Sequence, residues 1–187
     1  MTGTQLAATL VLVGVVALSW WGMRRGWEHR RRRTAEVVGA LPTRPADLGA
    51  TRFGPVAAVY VSTTTAGDWL DRVVAADLGV RSPATVTVHD AGLLVERTGA
   101  TDLFVPAAAL RAVTTAPGIA GKVVGGHGLV VVTWQPPGAD ADTDAQAGGL
   151  DTGLLTRDHD DRDPLVDAVA TLVTPTGDGA ARSKENA

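Results

Sequence analysis

The chain has no cysteine, which removes disulfide frameworks, thiolate metal sites and thiol nucleophiles together. That absence also suits a reducing compartment. Lysine occurs only at positions 122 and 184, so nearly all the basic charge is arginine. With the abundance of Ala, Gly and Val, this reads as coding bias rather than as a sign of function. The net charge of −3 hides a split, with arginine crowded between positions 24 and 33 and acids between 140 and 167. The folded part therefore lacks the basic patch of a nucleic-acid-binding domain, and no nucleic acid is expected as a partner.

Charge is missing altogether from residues 6–23, LAATLVLVGVVALSWWGM. As a helix, 18 residues extend about 27 Å, close to the hydrocarbon thickness of a bilayer. The stretch is expected to be a single transmembrane helix. A core helix would show a polar stripe, and an interfacial helix would show a charged face. A cleavable signal would need basic residues before the apolar run and a small-residue site after it, and neither is found.

Six arginines follow the run: Arg24, Arg25, Arg30, Arg31, Arg32 and Arg33. They resist translocation, so the expected topology places the short N-terminus (residues 1–5) outside and the rest in the cytoplasm, anchored in the inner (cell) membrane. Trp20, Trp21 and Trp27 fall at headgroup depth, where amphipathic rings are favoured. The same arginines suit an anionic-lipid surface, at about 1 kcal/mol per charge. Gly14 stands alone, without the Gly-x-x-x-Gly spacing of close helix pairs.

Residues 24–54 read as a basic juxtamembrane segment and linker, and residues 55–174 as one domain. Its first expected strand is 56–65, VAAVYVSTTT. Trp69, Leu70, Val73 and Val74 recur at helix-like spacing, so a short helix is expected within 67–78. TVTVH at 85–89, the turn Asp90-Ala91-Gly92 and LLVER at 93–97 form a hairpin pattern. Strands are further expected at 102–105, 113–115, 129–134 and 150–157, with one helical turn at 107–111.

The stretch 136–149 is acidic and rich in Gly and Ala, and is expected to be a disordered loop, as are residues 175–187. Asp163 as N-cap and Pro164 at the first helical position open a last, amphipathic helix with Leu165, Val166, Val169, Leu172 and Val173 on one face. The sum is a mainly β domain of about seven strands, a barrel or sandwich capped by a C-terminal helix.

The chain resembles a small actinobacterial family of single-pass membrane proteins with a PH-like cytoplasmic domain, sometimes loosely labelled transporters or export proteins. The apolar helix with its arginine-rich exit carries the resemblance, with Ala84 to Val88 before the Asp90-Ala91-Gly92 turn, Val105-Pro106-Ala107, Gly121-Lys122-Val123-Val124, Gly128 to Trp134, and Thr152-Gly153. The resemblance implies a tethered, non-enzymatic module. Members tend to be encoded beside pyrimidine-biosynthesis enzymes, which implies a membrane or cytoplasmic protein partner linked to pyrimidine metabolism.

No constellation supports catalysis. The glycine-rich loop 118–128 lacks the Ser or Thr that follows Lys in a phosphate-binding loop, and a strand rather than a helix comes next. Lys122 could at most touch a lipid headgroup. The run Asp158 to Asp163 with His159 lacks calcium-loop spacing and reads as an exposed turn entering the helix. His29, His89 and His127 are scattered. No catalytic residue, cofactor or metal is expected. The expected role is an adaptor holding lipid headgroups or a protein at the membrane, with an accessory subunit of a transport or export complex as the alternative.

Overall fold

The computed structural model describes residues 11–26, 38, 41–123, 128–137 and 149–173. The apolar segment forms helix α1 over residues 11–26, running through Arg24 and Arg25 to Gly26, and all sixteen residues are exposed. Among the described residues no helix is long and apolar enough to cross a membrane. Residues 6–10 of the expected 18-residue span, Trp27 and Arg30 to Arg33 lie outside the described residues.

The domain is built on β1 (Thr51–Thr65), a 15-residue strand that serves two neighbours. Its first half pairs antiparallel with β2 (Ser82–His89), from Thr51 opposite His89 to Tyr60 opposite Ser82. Its second half pairs with β9 (Leu150–Thr156), from Ala58 opposite Thr156 to Thr65 opposite Leu150. β3 (Gly92–Arg97) and β4 (Leu103–Pro106) extend the sheet on one side, and β8 (Leu129–Trp134) and β5 (Leu110–Ala116) on the other. The order is β4-β3-β2-β1-β9-β8-β5. Register shifts in β1 around residues 53, 56 and 61 bend it as bulges do.

Helix α2 (Arg162–Ala170) touches β5, β1 and β2. On a flat sheet β2 and β5 would stand about 19 Å apart, four strand spacings, whereas nine helical residues extend about 13 Å. The sheet therefore curves around the helix. Leu165, Val169 and Leu172 fill the concave side with Tyr60, Val86, Val95, Leu103, Val132, Trp134 and Leu154. Val38 is fully buried in the same core, so the folded unit includes residues ahead of β1. Residues 48–50 are strapped to the β2–β3 turn: the amides of Ala91 and Asp90 donate to the carbonyls of Leu48 and Ala50, each at 3.0 Å.

The seven-stranded antiparallel sheet with its C-terminal helix matches the expected mainly β layout. Three local expectations are corrected. No α-helix forms within 67–78; the only helical turn there is 3-10, at Ala75–Asp77, with Ala76 and Asp77 in the left-handed region. Val73 and Leu78 are instead drawn inward by backbone bonds to Thr63, which a helix would forbid. The strand expected at 113–115 spans Leu110–Ala116, because a register shift after Leu110 obscures its alternation. The N-cap of α2 is Asp161 rather than Asp163, whose carboxylate is taken by Arg162 Nε at 2.8 Å, and Pro164 falls at the third helical position. Most of the acidic loop, residues 138–148, and the tail beyond 173 lie outside the described residues.

Candidate functional site

Helix α1 presents large apolar side chains on every face, from Val11 (67 % exposed) to Met23 (77 %). At its C-terminal end the Arg25 guanidinium lies over the Trp21 ring, 5.3 Å from the centroid. Arg25 sits one turn after Trp21, the spacing at which helical side chains meet. A cation and an aromatic ring thus share the end where the apolar run stops.

The second candidate surface lies at the C-terminal end of β1, where residues 66–81 join β1 to β2. Asp68 shapes the first turn by accepting the amides of Leu70 (3.0 Å) and Asp71 (3.2 Å), a local Asx arrangement. Asp71 accepts the hydroxyl of Thr65 at 2.9 Å. Val73, Ala75 and Leu78 are buried and anchor the loop. That anchoring leaves Trp69 (54 %), Leu70 (63 %) and Val80 (48 %) exposed, the large apolar groups so exposed on the domain among the described residues.

Basic groups gather at the same end. Between β5 and β8 the chain makes a short hairpin, β6 (Gly118–Ile119) and β7 (Lys122–Val123). It meets the loop through the Ala120 amide, which donates to the Trp69 carbonyl at 2.7 Å, and the Arg72 guanidinium, which donates to the Ala120 carbonyl at 3.3 Å. Partial burial and the positive charges of Arg72 and Arg81 hold the Lys122 ammonium below its usual range. Lys122 thus stands in a positive field, which an anion at that spot would relieve.

Arg97 on β3 holds the loop in place. Its side chain is buried beneath residues 77–80 and donates to the carbonyls of Asp77 (2.9 Å), Val80 (2.7 Å) and Thr101 (3.1 Å) and to Ser82 Oγ (3.2 Å). Burial pulls the guanidinium's pKa down, while the charges of Tyr60, Asp77 and Asp102 act in the opposite sense. Nothing in the sequence flagged Arg97, because an arginine in an alternating strand ordinarily faces solvent.

Lys122 sits in a two-residue strand rather than at a helix N-terminus. Asp158 accepts the amide of Asp160 at 3.1 Å, closing an ordinary turn. Among the described residues no group of three or more His, Asp or Glu side chains could hold a metal. His89 contacts Thr51 Oγ1 at 3.4 Å, and His29 and His127 lie outside the described residues.

No curated protein matches the chain. A chain of the solved structure "The 8S snRNP Assembly Intermediate" is similar at 12 % identity and a TM-score of 0.43, over 76 % of this chain and 96 % of that one. The model of the bacterial PH domain-like family matches residues 38–170, from the buried Val38 to the last residue of α2. That match spans well over half of the 187 residues, and the chain belongs to the bacterial PH domain-like family.

Proposed function

We propose that the protein is a membrane-anchored binding module, in which the N-terminal apolar helix holds the PH-like domain at the cytoplasmic face of the cell membrane and the domain acts as an adaptor without chemistry of its own. The observation that carries this reading is helix α1: an uncharged run of large apolar side chains, all exposed, ending in Trp20, Trp21, Arg24 and Arg25. Bare apolar surface of that extent calls for a cover, and a bilayer matches its aromatic and basic exit. PH-like domains are generally binding modules, which supports this reading.

The loop 66–81 supplies the surface that meets lipid headgroups. Trp69, Leu70 and Val80 give apolar groups to the interface, and Arg72, Arg81 and Lys122 give charge to an anionic leaflet.

Alkaline carbonate extraction tests the anchor. The full chain is expected to stay with the membrane pellet, whereas a chain beginning at Val38 is released. Release of the full chain by carbonate would sink the reading.

A further inference from the structure

The hairpin of β6 and β7 lies against the outer face of the main sheet instead of extending it. Ile119, only 2 % exposed, is seated over Gly153 of β9, where a Cβ would stand 2.7 Å from the Ile119 Cγ2. Only a residue without a side chain leaves that slot open. Ile119 joins Val61, Leu129 and Val131 in an apolar cluster separate from the main core.

Two hydroxyls share this covered face. Ser62 stands directly opposite Gly153 across the β1–β9 ladder, and Thr64 lies two residues further along the same face. Both side chains are fully buried, and neither hydroxyl has a hydrogen-bond partner among the described residues. On the opposite face, Thr63 and Thr152 are bonded to each other at 2.8 Å. Burying a hydroxyl without a partner costs free energy, so the closed hairpin is held against that cost. Apart from the seat of Ile119, its polar hold is a two-rung ladder, a turn that puts Ala120 at φ 54°, and the bonds of Ala120 to Trp69 and Arg72.

We infer that the β6–β7 hairpin is a displaceable cover over a peptide-docking site, and that its occupant is an extended segment of a partner protein carrying an isoleucine or valine. The Gly153 slot is cut to a β-branched aliphatic side chain, since Ile119 fills it. The hydroxyls of Ser62 and Thr64 repeat along the strand at roughly 6.6 Å, the period at which an extended backbone presents successive carbonyls on one side. Such a segment would bring acceptors that Ile119 does not offer. The inference uses the folded domain alone and stands apart from the anchoring role of α1.

Native-state hydrogen exchange on the full chain in detergent micelles tests the cover. The amides of Ala120 and Lys122 are expected to exchange through a local opening that denaturant does not promote, while those of Val132 and Leu154 exchange only on global unfolding. Exchange of the hairpin amides only with global unfolding would overturn the inference. The docking site is tested in an Ile119→Ala chain with the synthetic peptide Gly-Ile-Ala-Gly-Lys-Val as probe. Saturable binding is expected, and it should weaken roughly tenfold when alanine replaces the peptide's isoleucine or when Ser62→Ala and Thr64→Val are added. Equal binding of the two peptides, or none of either, would reject the site.

Discussion

The guanidinium of Arg97 lies over the ring of Tyr60, 3.8 Å from its centroid, so the most deeply placed cation in the domain rests on the only tyrosine in the chain. The contact joins β3 to β1 and holds the four acceptors of residues 77–101 around the guanidinium. Arg97→Met would keep the packing volume but remove the donor to the Val80 and Thr101 carbonyls and Ser82, while the Asp77 carbonyl keeps the Val80 amide. A loss of about 2–4 kcal/mol is expected, read as a lower urea midpoint. Arg97→Lys is expected to recover little, because an ammonium cannot reproduce the planar fork that reaches Asp77, Val80 and Thr101 together. Wild-type stability in the methionine variant would show that the bracket is dispensable.

Tyr60 ends a directed chain of hydrogen bonds through the core. Trp134 Nε1 can only donate, and does so to Thr152 Oγ1 at 2.9 Å. The Leu78 carbonyl can only accept, and takes the Tyr60 hydroxyl at 2.8 Å. The links between them, Thr152 to Thr63 (2.8 Å) and Thr63 to Tyr60 (2.6 Å), must then run one way. Burial, partly offset by the Thr63 bond and the Arg97 charge, pushes the phenol up to about 12 from its ordinary value of 10.0.

The folded state therefore keeps this proton to higher pH than the unfolded state, and stability falls as pH rises. The contribution is fully present below the unfolded pKa of 10.0 and is lost progressively through about 12. It amounts to roughly 3 kcal/mol. With a single tyrosine, absorbance near 295 nm reports Tyr60 alone, and its midpoint is expected near 12. A midpoint near 10 would show that the hydroxyl is not held in this chain. Tyr60→Phe should flatten the loss of stability above pH 10.

What the sequence made legible follows the physics of each element. The β2–β3 hairpin is readable because Thr85 to Val88 alternate, with Val86 and Val88 in the core, and Gly92 sits at φ 149°, where an added Cβ would collide with the Val105 carbonyl. β8 was readable as an unbroken apolar run because it is covered on both faces, by the core and by Ile119. The loop 66–81 was not. Its helix-like spacing splits by tertiary contact into buried Val73 and exposed Trp69 and Leu70. Lys122 reads from the sequence as at most a headgroup contact, whereas the apolar half of that surface reads as a helix face. Arg97 escaped notice because its partners lie four to twenty residues away in loops.

Gly153→Ala probes the seat of the hairpin. The new Cβ would stand 2.7 Å from the Ile119 Cγ2 and 3.3 Å from its Cδ1, closer than packed carbons allow, so the hairpin must shift. A destabilisation of about 1–3 kcal/mol is expected, as for other overpacked sites. Because the clash is with Ile119, adding Ile119→Ala should relieve most of it, and a double-mutant cycle by chemical denaturation would show strong coupling. Additive effects would place the strain elsewhere.

The charge on the domain tip sets the last expectation. Partial burial and, after it, the positive charges of Arg72 and Arg81 lower the Lys122 pKa, so the three cations repel in the absence of an anion. A surface rich in anionic lipid relieves the repulsion and gains about 1 kcal/mol per cation, while Trp69 and Leu70 enter the headgroup layer. The full chain in nanodiscs containing phosphatidylglycerol should show slowed amide exchange over 66–72 and 118–123 relative to nanodiscs of phosphatidylcholine alone. Raising ionic strength from about 0.1 M to 1 M shortens the screening length from roughly 10 Å to 3 Å, and should erase most of the difference. Arg72→Gln, Arg81→Gln and Lys122→Gln together should abolish it while leaving the exchange of Val132 and Leu154 unchanged. If protection is the same on both lipids, the tip does not read membrane charge.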